Sequence, residues 1–178
     1  MKGYWVFVCG ASGAGKDSVM QWAENYLANQ QRIVFSRRQV TRPAATGSDH
    51  DELSVTDFIN KAATGGFAWR WQAHGFHYGI DAQYAQQVAA GHIVVVNGSR
   101  EHAVQLDRNE PVRLVQIALD PAEIKSRLIA RGRESMSQIE SRLARNVQFA
   151  TSNAHCTIVN NGALATAGKA LADYLEWM

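Results

Sequence analysis

The chain has little that would staple it, anchor it or bias its charge. Its two cysteines, Cys9 and Cys156, stand far apart beside apolar or β-like neighbours, which predicts two reduced thiols rather than a disulfide framework. With 178 residues, 46% of them hydrophobic, it can bury a full core unaided, so a disulfide-stapled mini-protein and a disordered chain are both excluded. The longest apolar runs, Trp5–Cys9 and Ile93–Val96, fall far short of the roughly 20 residues that span a bilayer. No membrane helix is expected. Nor is a secretory leader, because a lone Lys2 precedes a short strand-like run with no small-residue cleavage site behind it. Together these features predict a cytoplasmic protein. Eighteen Lys and Arg against 16 Asp and Glu leave a net charge of +2, too small to argue for nucleic acid or another polyanion. The basic residues are 13 Arg and 5 Lys; the planar fork of Arg suits paired phosphate oxygens, although GC-rich coding would produce the bias equally well.

What the chain does have is alternation. Tyr4–Cys9 is a short apolar run, and after Gly15 the segment Lys16–Ala28 spaces Val19, Trp22, Ala23, Tyr26 and Leu27 at helical intervals. Ile33–Phe35, Ile93–Val96 and Val112–Leu119 are further strand candidates separated by helical segments. This pattern predicts an α/β protein with a parallel β-sheet core flanked by helices. Ser54 or Thr56 opens a helix that Gly65-Gly66 stops, Asp81 opens another that ends at Gly91, and Asp120-Pro121-Ala122-Glu123 opens one running to Arg131. Ser137-Gln-Ile-Glu140 has the form of a capping box for a helix to about Ala150, and Leu164–Trp177 is a last amphipathic helix. Residues 37–80 differ, being rich in His, Trp, Gly and broken segments. They predict a small lobe of about 37–80 inserted into a single domain of residues 1–178, whose core is 1–36 and 81–178. His74-Gly-Phe-His77 has a metal-like spacing, but no Cys or third His completes a zinc set.

Gly10-Ala11-Ser12-Gly13-Ala14-Gly15-Lys16 matches the first seven positions of a phosphate-binding loop and lies between a strand and a helix. Glycines let successive N–H groups turn toward phosphates, the lysine neutralises β and γ oxygens, and the helix start adds the positive end of its dipole. Rival motifs fail: a dinucleotide fingerprint needs Gly or Ala where Ser18 stands, and a nucleophile elbow needs Gly where Ala14 stands. The eighth position, ordinarily a magnesium-ligating Ser or Thr, is Asp17. Ser18 does not substitute, because one residue turns a helical side chain by about 100°. Asp17 is therefore the candidate metal residue, binding magnesium directly or through water. A second metal-holding acid usually follows the Ile93–Val96 strand, yet the chain reads Asn97-Gly98-Ser99. We expect Asp17 to take over the missing carboxylate's charge.

The loop, Val40-Thr41-Arg42, Gly75-Phe-His-Tyr78-Gly79 and Arg131-Gly132 together resemble the guanylate kinase superfamily along almost the whole chain. That resemblance implies a P-loop NTPase fold with an acceptor-binding lobe and a helical lid at about 127–146. Gly-Lys-Asp-Ser at 15–18, Thr-Arg at 41–42, Val-Asn-Gly-Ser-Arg at 96–100 and Arg-Gly-Arg-Glu at 131–134 are more closely similar to one of its families, the ribose 1,5-bisphosphate phosphokinases of bacterial phosphonate breakdown. The closer resemblance implies transfer of the ATP γ-phosphoryl, with Mg2+, to ribose 1,5-bisphosphate, giving 5-phosphoribosyl 1-diphosphate (PRPP) and ADP. The partners are then two small molecules, with no nucleic acid and no membrane.

Residue by residue, the resemblance implies ATP contacts from Gly10, Ala11, Ser12, Gly13, Ala14, Gly15, Lys16, Asp17 and Ser18, from Arg131, and from Asn160 on the adenine side. It places Arg42 and Tyr78 at the acceptor phosphate, and Asn97 and Ser99 where guanylate kinases carry acids near acceptor and metal. Arg100 is a weaker site candidate. In the lid, Arg131 and Arg142 would stabilise the transferring phosphoryl with Lys16 and Asp17, and Arg133 would contact the acceptor, while Arg127 and Arg145 fit solvated helix faces. Where guanylate kinases read Phe-x-Glu-Trp, this chain reads Phe67-Ala-Trp69-Arg70. The base-reading carboxylate is missing, which disfavours GMP. Guanylate or other nucleoside monophosphate kinase activity, or a non-catalytic guanylate-kinase-like interaction module, are the alternatives; the intact loop disfavours the second. Trp69 and Trp71 are expected to pack against the lobe, and His77 to help Tyr78 hold phosphate. Asp49-His50-Asp51-Glu52 has the form of a solvated loop, with Asp49 or Glu52 as candidates for sugar hydroxyls.

Overall fold

The computed structural model describes residues 2–11, 13–44, 48–103, 106, 111–131, 135–148 and 154–178, and for Pro121, Arg127, Arg131, Arg142 and residues 145–148 the backbone only. In chain order the elements are β1 (Tyr4–Gly10), α1 (Lys16–Tyr26), β2 (Ile33–Phe35), β3 (Arg38–Val40), β4 (His50–Glu52), α2 (Val55–Ala63), β5 (Phe67–Ala73), β6 (Phe76–Asp81), α3 (Gln83–Ala89), β7 (Ile93–Asn97), α4 (Arg100–Ala103), β8 (Val112–Ala118), α5 (Pro121–Arg131), α6 (Met136–Gln148), β9 (Cys156–Val159) and α7 (Leu164–Trp177). A five-stranded sheet has the order β2-β7-β1-β8-β9, with β2–β7 and β8–β9 parallel. Such crossovers need intervening helices, which is why the sequence alternates as it does. A second, four-stranded sheet of order β4-β3-β6-β5 comes entirely from the segment between β2 and α3. No helix among the described residues is long and apolar enough to cross a membrane.

The chain divides into two compact units, residues 1–7, 30–97 and 107–112 in the first and 8–29, 98–106 and 113–178 in the second. In the first, β7 is buried along its whole length, and each apolar side chain removed from water there contributes roughly 1.5–3 kcal/mol. Antiparallel β5–β6 is held in register from Trp69↔Ile80 through Trp71↔Tyr78 to Ala73↔Phe76. The stretch expected as a solvated acidic loop is instead β4, paired in parallel with β3 as Arg38↔His50 and Val40↔Glu52. Acidic residues tolerate a strand here because Arg37 Nε pairs with Asp51, and Arg38 Nη2 with Asp49. In the second unit, α7 lies against α1 so closely that a Cβ on Gly168 would stand 2.4 Å from the Trp22 ring. Cys9 and Cys156 are both free thiols, and burial pushes Cys9 up to about 12 against the pull of Lys16 and Arg100.

Helix starts follow their caps. Ser54 Oγ accepts from Asp57 N–H at 3.0 Å, Asp81 Oδ1 from Gln83 N–H at 2.9 Å, and Asp120 Oδ1 from Ala122 N–H at 2.9 Å. For α6 the expected box is two residues too late. Ser135 N–H donates to Gln138 Oε1 at 2.8 Å and Gln138 N–H to Ser135 Oγ at 3.4 Å. Both frames satisfy the same pattern, and the chain takes the earlier one because it adds helical hydrogen bonds from Met136 onward.

Candidate functional site

In the second unit the glycine loop is shaped by its backbone. Gly13 (φ 93°) and Gly15 (φ 79°) both lie in the left-handed region that favours glycine, and Ala14 N–H closes a turn on Ala11 C=O at 3.0 Å. Asn160, 3% exposed, braces the loop from beneath by donating its Nδ2 hydrogen to Ala14 C=O at 2.8 Å. Gly15 then starts α1 with no side-chain cap. A helix start that follows such a loop favours an anion through the positive end of its dipole. Lys16 Nζ lies 2.7 Å from Asp17 Oδ1, and the two side chains are 16% and 72% exposed respectively. A lysine held by an exposed carboxylate is a charge poised for phosphate. Gly10 and Ala11 lead into the loop, and exposed Ser18 follows Asp17 on α1; Ser12 lies outside the described residues.

Asp17 also fits a magnesium ion by donor chemistry. This ion takes one or two carboxylates and completes its shell with waters and substrate phosphates, so an exposed hard oxygen on the first turn of a phosphate-binding helix suffices. No group of three His, Cys, Asp or Glu among the described residues forms a cage of its own.

Also in the second unit, Ser99 is half-buried and its C=O accepts from Ala103 N–H at 2.9 Å, while Arg100 is the first residue of α4. Arg131 ends α5 and Arg142 lies within α6; their side chains, and the whole of Arg133, lie outside the described residues.

In the first unit a different kind of site is assembled, from side chains far apart in sequence. Strand alternation and register put Arg38, His50, Tyr78 and Trp71 on one face of the four-stranded sheet. Asp49 Oδ2 accepts from Asn97 Nδ2 at 2.7 Å and from Arg38 Nη2, while Arg38 Nη1 reaches Asn97 C=O at 3.4 Å. The Arg38 guanidinium also lies 5.8 Å from the Tyr78 ring centre, and Tyr78 stacks on Trp71 at 5.5 Å. Arg42, half-buried at the end of this sheet, has Nη2 3.4 Å from His50 Nδ1. The structure thus gathers the expected Arg42, Tyr78 and Asn97 with Arg38, Asp49 and His50. A carboxylate does stand at the end of β7, supplied by Asp49 through the Asn97 amide.

Two expectations meet different fates. Trp69 packs edge-on against Trp5 at 5.8 Å and Phe7 at 5.3 Å, so the position of the absent base-reading carboxylate is filled by core aromatic packing. His77 does not join Tyr78. One residue along a strand reverses the face, and its ring contacts Phe58 at 5.2 Å and Gln72 at 3.1 Å. Arg38 and His50 were missed because each sits on a three-residue strand, too short for alternation to show. The signal that was present is a pair of arginines, Arg37 and Arg38, at the start of one short strand, answered by Asp49 and Asp51 at the start of the next.

No protein-family model matches the chain. Among solved structures it is similar to a guanylate kinase from Anaplasma phagocytophilum, with a TM-score of 0.73 at 16% identity over 99% of this chain and 86% of that one. A Janibacter sugar kinase gives 0.52 at 16% identity over 97% and 94%. These likenesses show the fold, a P-loop NTPase architecture. Among curated proteins, a ribose 1,5-bisphosphate phosphokinase PhnN of Burkholderia mallei is 40% identical over 96% of this chain and 94% of its own. One of Methylobacterium radiotolerans is 38% identical over 99% of both. With identity at this level sustained from end to end, on a phosphate-binding loop and an arginine-lined face, the chain belongs to the ribose 1,5-bisphosphate phosphokinase PhnN family.

Proposed function

We propose that this chain transfers the γ-phosphoryl group of ATP to ribose 1,5-bisphosphate, releasing ADP and 5-phosphoribosyl 1-diphosphate. An oxygen of the acceptor's 1-phosphate forms a bond to Pγ while the bond from Pγ to the β–γ bridging oxygen breaks, and ADP leaves with that electron pair. The attacking oxygen belongs to a phosphate already largely ionised near neutral pH, so no general base is required. The catalytic problem is to hold anionic groups in line against their repulsion. Lys16 and the uncapped start of α1 bind the ATP phosphates. Arg42 and Tyr78 bind an acceptor phosphate, with Arg38 and Asn97 beside them and Ser99 as a further acceptor contact. Asp17 would hold magnesium, which when bound offsets charge on the β and γ oxygens. The lid arginines Arg131 and Arg142 are proposed to meet the transferring phosphoryl, and Arg133 the acceptor.

One observation supports this acceptor over a nucleotide. The face that carries Arg38, Arg42 and Tyr78 keeps phosphate-binding chemistry, while the base-reading position holds Trp69, half-buried with its ring edge-on to Trp5 and Phe7. The test is phosphorus NMR of the purified chain with ATP, Mg2+ and either ribose 1,5-bisphosphate or GMP. A new diphosphate signal only with the sugar is expected; GDP formation at a comparable rate would overturn the reading, and no product from either would favour an interaction module. Asp17→Asn should raise the magnesium concentration needed for half-maximal rate, and an unchanged requirement would remove Asp17 from the metal.

A further inference from the structure

We propose that His50 is a positioning residue, holding Arg42 in the pose that receives the acceptor phosphate; this rests on the acceptor role given to Arg42 above. His50 is 1% exposed, so substrate does not reach its ring. Its backbone is secured independently, through the β3–β4 pairing and through Arg37 Nη2, which donates to His50 C=O at 3.1 Å. The imidazole is therefore not needed to form the strand, and a buried strand position would ordinarily carry an apolar side chain.

Both ring nitrogens face one residue. His50 Nε2 lies 3.3 Å from Arg42 C=O, and Nδ1 lies 3.4 Å from Arg42 Nη2. A carbonyl only accepts, so the proton is on Nε2; in the neutral ring Nδ1 then has a lone pair, and a guanidinium only donates. One imidazole thus fixes Arg42 at main chain and side chain together. Asp49 Oδ1 is also 3.4 Å from Nδ1, but it is an acceptor facing an acceptor in this tautomer. Asp49 is held instead by Arg38 and Asn97. An arginine pre-set in this way loses less rotamer freedom when phosphate arrives.

Steady-state kinetics on His50→Leu, His50→Asn, His50→Gln, Arg42→Ala and the double variant His50→Leu/Arg42→Ala test this. His50→Leu should raise the KM for ribose 1,5-bisphosphate about tenfold, with kcat and the KM for ATP essentially unmoved. His50→Asn, which returns an acceptor oxygen near Nδ1, should recover most of the loss, and His50→Gln, which returns only a donor near Nε2, should recover less. The double variant should be no worse than Arg42→Ala, because the two residues act as one unit. A wild-type acceptor KM in His50→Leu, equal behaviour of the Asn and Gln variants, or additive losses would overturn the proposal. If His50→Leu does not fold, the Asn and Gln pair still decides. If Arg42→Ala leaves the acceptor KM unchanged, the acceptor reading of Arg42 fails, and the proposal with it; if Arg42→Ala raises KM and the His50 variants do not, only the proposal fails.

Discussion

The glycine loop of the second unit and the arginine face of the first are both suited to phosphate, but they are built in opposite ways. The loop is contiguous, and its shape resides in the backbone: two glycines in the left-handed region and an uncapped helix start. Lys16 and Asp17 are the charged side chains it presents. The arginine face is assembled from β3, β4, β6 and β7, and its shape resides in side chains that hold one another, Arg38 and Asn97 on Asp49 and Arg42 on His50. A site of the first kind should fail when backbone conformation or the charge on Lys16 is changed. A site of the second kind should fail by degrees, as neighbours lose their partners.

The largest effect is expected from Lys16→Ala, which should lower kcat about a thousandfold while moving the acceptor KM little; a loss confined to acceptor KM would break the division of labour between the two regions. Gly15→Val keeps every charge but forces a β-branched residue to a positive φ. It should raise the KM for ATP about a hundredfold, on the argument that misplaced amides no longer serve an anion. Asp49→Ala removes the oxygen shared by Arg38 and Asn97. Several-fold weaker acceptor binding at unchanged KM for ATP is expected, about the cost of one charge-assisted hydrogen bond in a partly exposed setting. An effect on ATP alone would place Asp49 in the other half of the chemistry.

The smallest effect concerns stability. Burial pushes His102 down to about 4, whereas an unfolded histidine titrates near 6.5. Between those values the unfolded state takes a proton that the folded state refuses, so His102 makes stability fall as pH drops from about 6.5 to about 4. Denaturant titrations across that window should show a shallower pH slope for His102→Gln than for the unsubstituted chain. Identical slopes would mean that the imidazole is solvated in the folded state.

How much of this was legible depended on sequence distance. β2 and α7 have the ends expected of them, because apolar spacing and local punctuation decide both. The loop was legible for the same reason, since glycine, lysine and the following helix lie within one short stretch. The α6 start was ambiguous because Ser135 and Ser137 offer overlapping boxes, and only the hydrogen bonds choose between them. His77 was placed on the wrong side because adjacency in sequence suggested adjacency to Tyr78, whereas a strand alternates its faces.

The Asp49 network lay beyond sequence reading altogether. Asp49 and Asn97 are separated by 48 positions, and nothing local in either segment specifies the other. The amino-acid order by itself determined the α/β class, the glycine loop with its lysine, a tryptophan where the resemblance places a base-reading acid, and the presence of surplus arginines. The tertiary structure decided which arginines share a face, that a carboxylate returns to the end of β7 from the residue just before β4, and that a buried imidazole holds Arg42. The physical reason is range: torsional preference, capping and apolar period act over a few residues, whereas the pairing of buried charges is settled only when register brings distant strands together.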